Sequence, residues 1–159
     1  MALFLKYASR GASCGEKAFK LPGEPGGMDA ARVVAELERL YPGKRVVRLG
    51  EPVSEIICET DPAKRHPGYS VAVSVVDRIV PHLHKRTTET YTVLRGELSL
   101  TKDGVGHRLK VGDTLTILPG EVHRASGRET WIEARSVPGW TADDHYPLEQ
   151  QTPQGESIR

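Results

Sequence analysis

Cysteine is nearly absent from the 159-residue chain: only Cys14, in a glycine-rich stretch, and Cys58, in strand-like sequence, occur. Two such thiols do not make a disulfide framework, and their scarcity fits a reducing compartment. Net charge is also missing. The 22 Lys and Arg offset 21 Asp and Glu to leave +1, so no bulk field draws nucleic acid or an anionic membrane. The expected partner is a small molecule, with neither nucleic acid nor membrane. Long apolar runs are lacking as well. Met1-Ala2-Leu3-Phe4-Leu5 is interrupted by Lys6 and Arg10 before a signal-peptide core could form, and no run approaches a membrane span. A cytoplasmic location is the expectation. Internal repeats and low-complexity blocks are absent from the sequence.

What is present divides by period. Gly11, Gly15, Pro22, Gly23, Pro25, Gly26 and Gly27 punctuate residues 1–27 with no sustained apolar pattern, which predicts a flexible tail. One domain, large enough to bury a core, is predicted over 28–147, followed by a polar tail over 148–159. Asp29 is placed to cap a helix over 29–41 with Val33, Val34, Leu37, Leu40 and Tyr41 on one face, and Pro42-Gly43 stops it. That helix is expected to cover one side of the domain. Beyond it the period becomes two: Val46–Leu49, Glu55–Glu59, Tyr69–Val76, Tyr91–Leu94, Glu97–Thr101, His107–Lys110, Thr114–Leu118 and Trp131–Ser136 have strand composition. Lys102-Asp103-Gly104-Val105-Gly106 is a hairpin signal, with its two glycines able to take positive φ. A series of short strands with one helix before them predicts an all-β sandwich or closed barrel.

The chemistry is concentrated in four residues. In Pro81-His82-Leu83-His84 the alternation of an extended strand sends both imidazoles to one face and Leu83 to the other. A turn through Lys85 to Thr88 lets Glu89 open the next strand, expected to return beside the first, and His123 follows a second turn at Leu118-Pro119-Gly120-Glu121. Three neutral imidazoles and a carboxylate can close around one divalent metal ion and, if that ion is octahedral, leave two positions open. Nitrogen and oxygen donors without thiolate suit Fe, Mn, Zn, Ni, Co or Cu, and affinity order does not choose among them.

Residues 76–127 resemble the two signature motifs of the cupin superfamily. The first, Gly-x5-His-x-His-x4-Glu-x6-Gly, is matched by His82, His84, Glu89 and Gly96; the second, Gly-x5-Pro-x-Gly-x2-His-x3-Asn, is matched by Gly112, Gly120 and His123. Val76, Leu118 and Gly127 stand where the opening Gly, the first Pro and the closing Asn belong. None of these departures touches a ligand. The resemblance implies a double-stranded β-helix, the cupin jelly-roll barrel, and commonly a homodimer. It also implies, loosely, the small cupins of the mannose-6-phosphate isomerase type, whose domain ends are similar to Trp131-Ile132-Glu133 followed by Asp143-Asp144.

Other residues are candidates by position. Tyr91 shares the face of Glu89 and is a candidate donor to a substrate oxygen, with a plain wall residue as the alternative. Trp131, Glu133 and Arg135 share one face of the last strand, opposite Ile132, Ala134 and Ser136. Were the polar set inside, Glu133 would be a general base and Arg135 an anion clamp; otherwise both are solvated. Lys85, Arg86 and Arg78 could steer a carboxylate or phosphate, or simply be solvated rim charges. His66, His107 and His145 lack a ligand spacing. The leading reading is a metal-dependent isomerase or epimerase of a sugar or sugar phosphate. A non-haem iron dioxygenase and a non-catalytic metal- and ligand-binding cupin are the alternatives, with lyase and cyclase chemistry behind them.

Overall fold

A computed structural model describes residues 27–148 of the chain. All but the last and first residue of the two predicted tails lie outside the described residues. Helix α1 (Ala30–Leu40) is capped by the Asp29 side chain, which accepts from the Arg32 backbone N–H at 3.1 Å. Among the described residues nine strands follow: β1 (Arg45–Leu49), β2 (Glu55–Asp61), β3 (Ser70–Leu83), β4 (Thr88–Arg95), β5 (Glu97–Lys102), β6 (Val105–Lys110), β7 (Thr114–Ile117), β8 (His123–Val137) and β9 (Tyr146–Pro147). A 3₁₀ turn over Ala142–Asp144 precedes β9. No described helix is long and apolar enough to cross a membrane.

Every strand pairing is antiparallel. One run of neighbours reads β1-β2-β3-β8-β4-β7, while β5 pairs with both β6 and β8. The two long strands turn this into a barrel. The first half of β3 pairs with the second half of β8, Ser70 opposite Ser136 through Val76 opposite Thr130, and then its register shifts. Beyond the shift Arg78, Ile79 and His82 face Ser126, Ala125 and His123, where β8 also pairs with β5. Bulges at these shifts bend each strand so that it serves both walls. This is the double-stranded β-helix with one N-terminal helix.

Two apolar cores result. The barrel interior is filled by Val76, Ile79, Val93, Leu98, Leu100 and Ile132 among others. A second core lies outside the sheet, where Val33 and Leu37 of α1 pack on Ile56, Cys58, Val75 and Trp131. Burial of these side chains contributes roughly 1.5–3 kcal/mol each before entropy is counted. Because a helix covers that outer face, the usual rule of apolar inside is reversed on β2: Ile56 and Cys58 point out to α1, leaving Glu55 and Ile57 to point inward. Arg95 fastens the arrangement, bonding Glu36 of α1 at 2.6 Å while lying over the Trp131 ring.

Two sequence expectations need correction. The Glu89 strand does not lie beside the His82 strand, since β8 runs between β3 and β4 and hydrogen-bonds to both. The hairpin between β5 and β6 takes positive φ at Asp103 and Gly104, not at two glycines. Lys102 pairs directly with Val105, so Gly106 is already in the strand.

Candidate metal centre

His82 and His84 leave the end of β3 on one face, Glu89 opens β4, and His123 opens β8. One ligand atom from each lies within 4.8 Å of every other, and all four residues are buried. The imidazoles are aimed by backbone. His82 Nδ1 lies 2.9 Å from the Val80 carbonyl, His84 Nδ1 2.8 Å from that of Asp144, and His123 Nδ1 3.1 Å from that of Glu121. A carbonyl accepts only, so this network assigns the Nδ1–H tautomer to each ring and turns the Nε2 lone pair inward. The Nε2 atoms of His84 and His123 are buried with no hydrogen-bond partner of good geometry, though they lie 3.3 and 3.4 Å from Glu89 Oε2. Orphaned inward-facing nitrogens around one carboxylate fit a divalent ion with nitrogen and oxygen preference.

The carboxylate is held too. Tyr91 donates its hydroxyl to Glu89 Oε2 at 3.1 Å, and Ser136 donates to Oε1 at 3.2 Å. Burial works against ionisation of Glu89, but His123 and His84 outweigh it and hold the carboxyl below the ordinary range. Burial pushes His82 down to about 3, reinforced by the neighbouring His123. Glu89 is therefore ionised and His82 neutral at pH 7, the protonation states that ligands require. Tyr91 is fully buried, which raises its pKa well above normal and keeps it a phenol donor.

Two turns carry the centre. Gly120, with φ of 87°, lets Leu118-Pro119-Gly120-Glu121 double back so that its N–H bonds the His84 carbonyl at 2.6 Å. Asp144 is 1% exposed and holds the segment after His84: its carboxylate accepts from the N–H groups of Lys85, Arg86 and Thr87 at 3.0–3.2 Å. Gly127 answers to space. A Cβ there would run into Oγ1 and Cβ of Thr130 and the Val76 carbonyl, so this position, where the second motif has Asn, admits no side chain without a shift of Thr130.

The remaining sequence candidates lie elsewhere. The Glu133 and Arg135 expectation is corrected: both are exposed on the outer face of β8, and Ile132, Ala134 and Ser136 face the interior. Trp131 can share the Glu133 face yet be buried because α1 covers it. Arg135 lies over the Tyr69 ring at 4.6 Å. Arg86 is exposed and bonds Asp143 at 2.8 Å, and Lys85 is exposed over the Tyr146 ring. Neither reaches inside. Arg78 is exposed, His66 bonds Asp61 at 2.7 Å on the periphery, and His107 pairs with Leu100 on the β5–β6 hairpin. Tyr91 does face the interior, but its hydroxyl is engaged by Glu89.

Sequence reasoning missed two neighbours of the centre. His145 lies with its ring centroid 4.4 Å from that of His82, and its Nδ1 is buried without a partner. No motif spacing marks it, because the 3₁₀ turn delivers it. Glu55 projects into the barrel from β2, near the Ser74 hydroxyl and within range of the Glu89 charge. Its signal was available: Ile56 and Cys58 alternate with it and need the helix face.

The cupin domain family model matches residues 59–131. No curated protein sequence matches the chain. Among solved structures, a nucleoside dehydratase from Streptomyces superposes with a TM-score of 0.61 at 14% identity, over 69% of this chain and 88% of its own. An ectoine synthase from P. lautus gives 0.56 at 17% identity, over 76% of this chain and 93% of its own. A Klebsiella pneumoniae protein with a double-stranded β-helix domain gives 0.53 at 26% identity, over 65% and 91%. At such identities the dehydratase and the synthase testify to fold and not to substrate. The family match, the shared barrel and the two motifs converging in one place agree: residues 59–131 carry a cupin domain.

Proposed function

We propose that the protein is a metal-dependent enzyme that isomerises or epimerises a small neutral sugar or related polyhydroxy carbonyl compound. The observation that carries this reading is the buried convergence of His82, His84, Glu89 and His123 within 4.8 Å. When bound, a divalent ion supplies Lewis-acid polarisation of a carbonyl or hydroxyl oxygen. His82, His84, Glu89 and His123 would hold it, while Tyr91 and Ser136 keep the Glu89 carboxylate from rotating. Asp144 and the backbone carbonyls keep the rings aimed. The substrate class is narrowed by charge. No lysine or arginine is buried among the described residues, and Arg86 is already committed to Asp143, so a neutral substrate is favoured over a phosphorylated one.

The test begins with elemental analysis of protein purified without added metal. Near-stoichiometric Mn, Zn, Ni or Co without oxygen consumption is the expected result; iron with oxygen uptake would replace this reading with a dioxygenase. His84→Ala should lose most of the bound metal while remaining folded by circular dichroism. Full metal retention in that variant would remove the ligand assignment. Incubation of the loaded protein with aldoses and ketoses in D₂O, read by proton NMR, should reveal deuterium entering at carbon beside the carbonyl.

A further inference from the structure

Glu55 is the unexplained group of the barrel. It lies on the inward face of β2, opposite Val76 of β3 and Leu49 of β1, and Leu49 is 41% exposed. Glu55 itself keeps part of its surface open to solvent, while its carboxyl is enclosed enough that burial pushes its pKa up to about 7. The groups facing it are the Ser74 hydroxyl from β3 and, from β4, Glu89 and Tyr91. The adjoining inner positions of β8, Ile132, Ala134 and Ser136, carry no titratable group. No cation stands beside Glu55 among the described residues. A structural carboxyl would have such a partner, because enclosing an acid with a single hydroxyl costs stability and returns none of it. Leu or Gln would fill the same space at less cost.

We propose that Glu55 is the proton-transferring residue of this site, reaching a substrate in the barrel from β2 while the His82, His84, Glu89 and His123 centre holds the substrate's oxygen atoms. This rests on the isomerase reading above and supplies the base that Glu133, on the outer face, does not. The step balances without a co-reactant. The Glu55 carboxylate takes the proton from carbon beside a carbonyl, and the C–H electron pair moves into the carbonyl to give an enediolate. The resulting carboxylic acid returns that proton from the same face to the neighbouring carbon, while the proton of the adjacent hydroxyl passes to the former carbonyl oxygen, so one C–H and one O–H bond break and one of each forms with no net oxidation. A carboxyl near pH 7 in its midpoint is available in both forms for the two halves of the cycle.

The experiment compares full-length wild type with Glu55→Gln and Glu55→Asp, each loaded with Co(II). Glu55 is not a metal ligand, so all three should bind equal Co(II) by elemental analysis and by visible absorption. The first readout is deuterium incorporation into aldoses and ketoses: Glu55→Gln should fall by about 100-fold or more and Glu55→Asp should recover part of the rate. An unchanged rate in Glu55→Gln overturns the proposal. The second readout needs no turnover. The ligand acetohydroxamate, an enediolate mimic, loses a proton on binding in both proteins, so the readout is the ratio of wild-type to Glu55→Gln affinity, which should change about tenfold from pH 6 to pH 8. If wild type exchanges no sugar yet this ratio changes with pH, the sugar reading fails and Glu55 keeps its place at the bound molecule. If the two pH profiles coincide, Glu55 does not face the ligand and the proposal is wrong; if no Co(II) binds, both fall together.

Discussion

At the scale of single residues, what decides the chemistry is which direction a carboxylate or hydroxyl is made to face. Tyr91 was a candidate to touch substrate, and its hydroxyl instead donates to Glu89, which makes it a positioning residue for the centre. Tyr91→Phe should weaken metal binding about tenfold in a chelator competition while leaving the fold intact, as loss of a ligand's hydrogen-bond partner generally does. Glu133→Gln should alter neither metal content nor exchange rate by more than about twofold, because the side chain is solvated on the outer wall. A large loss of exchange in Glu133→Gln would mean that the outer wall of β8 contributes to the reaction. His82 and His84 were legible in sequence from strand alternation, and Glu89 and His123 from the spacing of the cupin motifs, since β8 runs between the strands that carry His82 and Glu89. Glu55 and Glu133 were not, since their direction depends on where α1 docks. A charged residue alternating with apolar ones reads as solvent-facing until a helix claims the apolar face.

At the scale of elements, every strand segment read from the sequence has a counterpart, but two were read far too short. The period-two signal stops at Val76 and returns only at Pro81-His82-Leu83-His84, whereas β3 runs unbroken to Leu83. It continues through Pro81 because no ladder position is assigned there: the register passes from Ile79 opposite Ala125 to His82 opposite His123. A bulge is where a strand tolerates a residue without an N–H. The signal for β8 likewise begins at Trp131, but the strand starts at His123 and crosses Ser126-Gly127, residues that alone suggest a turn. The two-residue β9 carries no detectable pattern and exists because Tyr146 finds Leu83. The 3₁₀ turn before it has a measurable job. Asp144→Ala removes the acceptor of the N–H groups of Lys85, Arg86 and Thr87, and frees the backbone that accepts from His84. It should lower metal affinity roughly 10–100-fold. Wild-type affinity in Asp144→Ala, measured by chelator competition, would show that His84 needs no such buttress.

At the scale of the whole molecule, the enclosed Glu55 carboxyl couples stability to pH in an unusual direction. Its folded pKa, about 7, lies above the ordinary 4.5, so between those values the folded protein binds a proton that the unfolded chain does not. Stability from this group is thus complete below pH 4.5 and lost as pH rises through 7. Glu55→Gln should gain on wild type by about 2 kcal/mol between pH 5 and pH 8, seen as a smaller fall in urea midpoint over that interval. Equal slopes for the two proteins would mean that the carboxyl is already hydrated.

The stitching of the centre has a consequence for biosynthesis. Its donors come from positions 82, 84, 89 and 123, and Gly120 and Asp144 lock them from two later stretches of chain. A nascent polypeptide emerging from the ribosome carries the first three donors long before it has the last and its buttress. An ion held by these four donors would be captured only after His123 is made, and held tightly only after Asp144.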